Sequence, residues 1–371
     1  MMNTNENSTH QLRAIFYLFT SFYHLISMKN VFITLISVFL TACHSPKNAA
    51  QFPRSDGENA PLVLAFGSCN NHRLENFLWK EIVKHQPTAW IWGGDNVYSD
   101  TDNMDTLRLD YQLVLQNKDY QALQKNTKIL GTWDDHDYGV NDGGFEFAAK
   151  RESQGAFLDF MGVSKTDKRR EQAGVYHAET IKTLSGSVRI ISLDTRYFRS
   201  PLTKNPSVRK RFVPNKYGEG TMLGDAQWQW LEKELHTSTA DFNVVMSSVQ
   251  VLSSEHGFET WGNMPHEVDK FKRLVQSSKA KGVVVLSGDR HISEFSKTAI
   301  DGVNYPLIDF TSSGLTHAYT SYVFEANKFR IGEVVPKISY GLLSIDFKNK
   351  EITMQIRGKE DALLGELKQV Y

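Results

Sequence analysis

The chain has 371 residues, 40% hydrophobic and 23% charged, enough apolar material for one large core or two modest ones. Its 42 Lys and Arg balance 42 Asp and Glu, so no global field draws it to nucleic acid, and any preference for an anionic substrate has to be built locally. Two cysteines, Cys43 and Cys69, allow at most one bridge and exclude a disulfide-stapled scaffold.

The first sixty residues do not read as a packed fold. Residues 1–27 are polar and then weakly apolar, with no clear period. Met28-Lys29 gives a basic start, 31–40 a short apolar run, and Leu40-Thr41-Ala42-Cys43 an ending in small residues. This is the pattern of a secretory signal, with an apolar run too short for a stable membrane span. The ending resembles the bacterial lipoprotein signal. That resemblance implies a leader ending at Cys43 and lipidation of Cys43 as the first mature residue; within the leader, 1–43, the basic start at Met28 reads as the true start, with 1–27 an extension ahead of it. His44 in place of Asp favours the periplasmic face of the outer membrane. A plain signal with an incidental cysteine, leaving the protein soluble in the periplasm or secreted, is the alternative. Residues 44–60, rich in Ser, Pro, Asn and Ala, read as a tether, and 61–371 as the folded domain.

From Pro61 onward, short apolar runs alternate with amphipathic segments. Strands are predicted over 62–66, 89–92, 129–133, 188–193, 243–246, 282–286 and 307–310. Helices are predicted over 71–85, 106–123, 145–161, 226–236 and 266–277. Residues 341–347 and 351–357, joined by Lys348-Asn349-Lys350, predict a hairpin. Alternation of this kind gives a single α/β domain with sheets inside and helices outside.

Polar residues gather where the apolar runs end, which in α/β folds is where ligands bind. The first run leads into Gly67-Ser68-Cys69-Asn70, the second into Gly94-Asp95-Asn96-Val97-Tyr98, and the third into Asp134-Asp135-His136-Asp137. Later runs lead into Asp194-Thr195-Arg196, Ser248-Val249-Gln250 and Gly288-Asp289-Arg290-His291. Gly-Asp-Asn alone is a common turn. The stretch Asp134–Asp137 is different, because three crowded carboxylates repel one another unless a cation offsets them. Cys69 is unpaired if Cys43 is lipidated, and an exported free thiol is protected by metal coordination or by simple burial.

The ordered set Gly67-Ser68-Cys69, Gly94-Asp95-Asn96-Val97-Tyr98, Trp133-Asp134-Asp135-His136-Asp137, Leu193-Asp194-Thr195-Arg196 and Gly288-Asp289-Arg290-His291 resembles the PhoD-like branch of the calcineurin-like metallophosphoesterases. The resemblance spans about residues 61–317. It implies an α/β sandwich of two packed β-sheets flanked by helices, and an alkaline phosphatase acting on phosphomonoesters, with diesters as a further substrate class. It implies a ferric ion (Fe3+) paired with calcium (Ca2+), other divalent metals being possible at the second site. Carried over by position, Cys69, Asp95, Tyr98 and His291 are the ferric ligands, with Asp95 bridging. Asp135, Gln250 and Asp289 hold the second ion, Gln250 standing where the wider superfamily has His, which suits a harder cation. His136 corresponds to the leaving-group proton donor and Arg196 to a phosphate clamp. Arg290 stands where Val is more familiar and adds either a phosphate contact or simply a surface charge, the latter being preferred.

Two cations sharing one water suit an in-line displacement at phosphorus. Arg196 offers a planar fork matched to phosphoryl oxygens. The segment 196–216 carries Arg199, Lys204, Arg209, Lys210 and Arg211 with no acid, a local positive patch or a plain solvated loop. Its Pro201, Pro206 and Pro214 predict an extended lid, not a helix. The implied partners are a small phosphate ester and, through the anchor, a membrane, with no nucleic-acid partner. A diesterase for nucleotides or lipid head groups is the rival within enzymes. A non-catalytic, lipid-anchored metal- or phosphate-binding protein is the rival from another class. A carboxylate-based carbohydrate hydrolase does not suit the Cys, Tyr and His ligand types.

Overall fold

A computed structural model describes residues 61–206 and 210–371. The leader over 1–43, the tether over 44–60 and Arg209 lie outside the described residues.

In chain order the elements are β1 (Leu62–Gly67), α1 (Leu78–Lys84), β2 (Ala89–Gly93), α2 (Met104–Gln116), α3 (Lys118–Gln124), β3 (Lys128–Thr132) and α4 (Asp135–Tyr138). Next come α5 (Lys150–Phe160), β4 (His177–Lys182), β5 (Ser187–Ser192), β6 (Thr203–Lys204), β7 (Phe212–Val213), α6 (Gly224–Thr237) and β8 (Phe242–Met246). The chain closes with α7 (Pro265–Ser278), β9 (Val283–Ser287), β10 (Ser293–Thr298), β11 (Leu307–Ser312), β12 (Arg330–Val335), β13 (Ser339–Asp346), β14 (Glu351–Gly358) and β15 (Leu363–Val370).

These strands make a six-stranded sheet in the order β15-β14-β13-β1-β2-β3 and a seven-stranded sheet in the order β12-β10-β11-β9-β8-β5-β4. Strands β1, β2 and β3 run parallel, as do β5, β8, β9 and β11. Strands β2, β8 and β9 are buried at every position, which is why they read as unbroken apolar runs.

The sheets pack face to face. Phe66, Ile91 and Leu130 of the first meet Val244, Leu286 and Phe310 of the second, with Phe66 and Phe310 edge to face at 4.8 Å. On the outer face of the first sheet, Trp79 of α1 and Tyr120 of α3 cover Trp90 and Trp92. On the outer face of the second, Trp228 and Leu231 of α6 and Phe271 and Leu274 of α7 cover Val245 and Val285. Truncating one of these buried leucines to Ala costs about 2–5 kcal/mol. The α/β sandwich with flanking helices thus agrees with the sequence reading.

Differences from that reading have local causes. The helix expected from residue 71 starts only at Leu78, because the Asn71 and Asn76 side chains accept from the backbone N–H of Arg73 and Leu78 and hold turns there. Likewise the helix expected from 145 starts at Lys150. Strands β4, β10, β12 and β15 carry too many polar residues to stand out. Strand β10 (SEFSKT) is nonetheless buried over its first four positions. Its polar groups are answered from afar: Ser293 by Ser339, Glu294 by Arg330, and Ser296 by Asn327. Among the described residues no helix is long and apolar enough to cross a membrane.

Candidate metal centre

The carboxyl ends of β1, β2 and β3 meet those of β5, β8 and β9 at one end of the sandwich. Tight backbone contact makes this possible. A Cβ on Gly288 would lie 2.5 Å from Ser68 Oγ, and one on Gly94, at φ +93°, would lie 2.4 Å from Asp134 Cβ. Four residues at these tips hold left-handed backbone without being glycine: Cys69 (φ 60°), Asp95 (50°), Asp289 (68°) and His291 (53°). Such conformations cost about 1–3 kcal/mol each and concentrate at functional sites.

Cys69, Asp95 and His291 bring donor atoms within 4.8 Å of one another, and so do Asp95, Asp135 and His136. Asp95 therefore belongs to both groups. Asp134, Asp135 and Asp289 form a further group of the same size. Tyr98 joins the first, its hydroxyl donating to Asp95 Oδ2 at 3.2 Å and meeting His291 Nε2 at 3.0 Å. Cys69 Sγ lies 3.5 Å from the same Asp95 oxygen. Gln250 is buried, and its amide nitrogen donates to Glu294 (2.8 Å) and Thr311 (2.9 Å). That fixes the amide and leaves its Oε1 buried without a hydrogen-bond partner, a state a bound cation would relieve. His136 stacks on Tyr98 at 4.1 Å, and its Nδ1 is 2.8 Å from Asp100.

Burial sets the electrostatics. It pushes the Cys69 thiol up, helped by Asp95 and Asp289. It also raises the carboxyls of Asp95, where Asp135 adds to it, and of Asp289, where Asp134 does. The Tyr98 hydroxyl rises for the same reason, with Asp95 next. Asp134 reaches about 6 through burial, opposed by Arg196. Asp135 goes the other way: burial raises it, but Arg196 and His136 outweigh that and hold it at about 2. His136 would be lowered by burial, yet the Asp100 hydrogen bond and the charges of Asp95 and Asp135 carry it to about 10. His291 falls to about 4 through burial, His317 and Arg290. Acids and a thiol driven toward neutrality by burial and then by one another's charge are what a strong cation would reverse. The donor set and the open Gln250 oxygen together fit bound metal.

Arg196 does not take the place expected of it. Its guanidinium is fully buried, with Nε 2.5 Å from Asp134, Nη1 2.5 Å from Glu259, and Nη2 3.9 Å from Asp135. It ties Asp134 and Asp135, just after β3, to Glu259 and is not among the residues lining the cleft above the cluster. Arg290 also departs from expectation, because it is only 8% exposed and is no surface charge. It stacks on Phe258, pairs with Glu325, and lines that cleft.

The cleft holds about 470 Å³ and runs from Asp95, Asp135, His136, Asp289 and His291 outward to Asn141, Arg211, Phe258, Arg290 and Tyr319. Among the described residues of the basic segment, only Arg211 reaches it, beside Asp142. Arg199 is buried against Glu259, Lys204 is exposed on β6 of the two-stranded β6–β7 ribbon, and Lys210 donates to the Glu255 carbonyl. Asp142, Glu259, Asp100 and His317 have no motif of their own in the sequence. His317 sits 4.5 Å from the His291 ring and 5.0 Å from that of Tyr98.

A family model described as PhoD-like phosphatase matches residues 64–355. Alkaline phosphatase D of Bacillus subtilis (strain 168) is 28% identical over 321 residues, covering 73% of this chain and 54% of that protein. The chain thus spans about half the length of this curated relative. Among solved structures, PhoD superposes with a TM-score of 0.63 at 18% identity, over 86% of this chain and 70% of that one. GAP50, the anchor in the inner membrane complex of Plasmodium, gives 0.56 at 12% identity, over 84% and 89%. A dimetal phosphatase from Danio rerio gives 0.52 at 12% identity, over 84% and 100%. At these identities the structures are alike in fold.

Proposed function

The chain belongs to the PhoD-like phosphatase family, and from that premise we propose that it hydrolyses phosphate esters in the cleft above Asp95. The observation that carries this reading is the position of Asp95 in two adjoining groups of potential ligands, as a residue bridging two ions requires. Cys69, Asp95, Tyr98 and His291 would hold a ferric ion, whose charge suits thiolate and phenolate. Asp95, Asp135, Gln250 and Asp289 offer only oxygen and would hold calcium or another hard divalent ion. When bound, the pair supplies Lewis acidity, lowering the pKa of water and offsetting the charge on phosphoryl oxygens.

The chain's own residues do the rest. Asp100 engages His136 Nδ1, which leaves Nε2 to carry a proton. That hydrogen bond favours the protonated imidazole, and His136 is placed to protonate a departing alkoxide. Arg196 acts through others, holding Asp134, Asp135 and Glu259 in place. Phe258 and Tyr319 give the outer cleft apolar walls for the leaving group. The test is hydrolysis of a nitrophenyl monoester and its diester by purified, metal-loaded protein. Turnover of either supports the reading, and their ratio reports the mono- or diester preference. Metal binding without turnover of any ester would favour the non-catalytic binder, as would a role like that named for GAP50. We further propose that Cys43 carries a lipid that holds the protein at the periplasmic face of the outer membrane.

A further inference from the structure

Deep burial beside a cation site is a costly place for an arginine. Arg290 lies between two candidate metal ligands, Asp289 and His291, both in left-handed backbone at φ 68° and 53°. A positive charge there repels the ions those neighbours would bind, a cost that an anion seated against both would offset beyond what Glu325 supplies. Its partners support this. Both oxygens of Glu325 accept from a single nitrogen, Nη2, at 3.1 and 3.0 Å. Nε is buried with no acceptor. Among the described residues, then, Glu325 engages one of the three guanidinium nitrogens. The Phe258 ring, 4.2 Å below, fixes the plane of the group. The cleft passes directly beside it. Arg196, with the side chain expected to grip phosphate, also has a buried nitrogen without a hydrogen-bond partner, Nη2, but it is held by Asp134 and Glu259 and does not line the cleft, and Arg211 is half exposed at the rim beside Asp142.

We propose that Arg290 is the residue that grips the phosphoryl group in this protein, donating to a non-bridging oxygen of the tetrahedral oxyanion bound above Asp95 and Asp289. Planar guanidinium donors match such oxygens, and a charge-assisted bond in a buried setting is among the stronger contacts a protein makes. Glu325 and Phe258 act as its mount. Glu325 holds it while the cleft is empty and competes with the incoming anion for its charge. The proposal rests on the phosphoesterase reading but is tested by binding as well as by turnover.

The experiment measures binding of inorganic phosphate to the metal-loaded protein by calorimetry, and phosphate inhibition of nitrophenyl phosphate hydrolysis. Two variants are compared with the parent, Arg290→Gln and Glu325→Gln, with metal content and unfolding midpoint checked for each. Losing the clamp should weaken phosphate on the order of 10- to 100-fold with metals retained. Removing the competing carboxylate should tighten phosphate. A pair with a merely structural role would move both variants the same way, toward weaker phosphate. Phosphate affinity within twofold of the parent in Arg290→Gln, metals retained, overturns the proposal. If Arg290→Gln loses metal or fails to fold, Glu325→Gln decides alone. Tighter phosphate then supports the clamp, and unchanged or weaker phosphate overturns it. A parent that binds phosphate but turns over no ester would sink the phosphoesterase reading while leaving the binding comparison intact.

Discussion

Replacing Arg196 with Leu separates a structural hub from a phosphate clamp. The substitution deletes a fully buried cation and leaves Asp134, Asp135 and Glu259 facing one another without it. Breaking a buried pair from one side typically costs about 3–5 kcal/mol, because an uncompensated charge stays behind. Part of that figure can be followed through Asp135. Burial alone would raise its pKa, yet Arg196 and His136 hold it at about 2 instead of 3.8. That depression corresponds to about 2 kcal/mol. A carboxyl lowered in the folded state stabilises at pH above its unfolded value of 3.8, and the contribution is lost as pH falls through about 2. Arg196→Leu should therefore lose about 3–5 kcal/mol at pH 7, with a smaller deficit near pH 3, where the acids begin to neutralise. Urea unfolding across that pH range, in chelator and with excess metal, is the assay. A loss under about 1 kcal/mol combined with weakened phosphate inhibition would refute the hub reading and restore Arg196 as a direct clamp.

Asp95→Ala should lose both metals and activity together, whereas His136→Ala should keep its metals and phosphate binding while turnover falls about 10²–10⁴-fold. The His136 loss should shrink for nitrophenyl esters, whose leaving groups need little protonation; element analysis and kinetics across leaving groups check both variants. If Tyr98 and Cys69 bind ferric iron, the loaded protein should show a visible charge-transfer band that Tyr98→Phe shifts or bleaches. A colourless, iron-free and fully active preparation would sink the ferric assignment. Mass spectrometry of the mature N-terminus tests the anchor, and an unmodified peptide spanning residues 38–46 would rule it out.

The sequence by itself determined the parallel core strands and what stands at their tips. Strands β1, β2, β8 and β9 are covered on both faces, so their burial is written as local apolar runs, and the Cys, Asp, Tyr and His residues follow within a few positions. Strands β4, β10, β12 and β15 left no such trace. Strand β10 is buried through partners such as Ser339 and Arg330, 46 and 36 residues from the groups they answer. The same limit governs the site. Asp134–Asp137 shows locally that charge must be offset, but not by what. The structure offsets it with Arg196, 62 residues from Asp134 and 63 from Glu259. Arg290 shows the same limit from the other side. Its own motif gives no sign that Phe258 and Glu325 bury it, and only the meeting of those distant loops turns an apparent surface charge into a wall of the cleft. A local pattern records what a residue's environment must supply, and only the packing of the two sheets determines which residue supplies it.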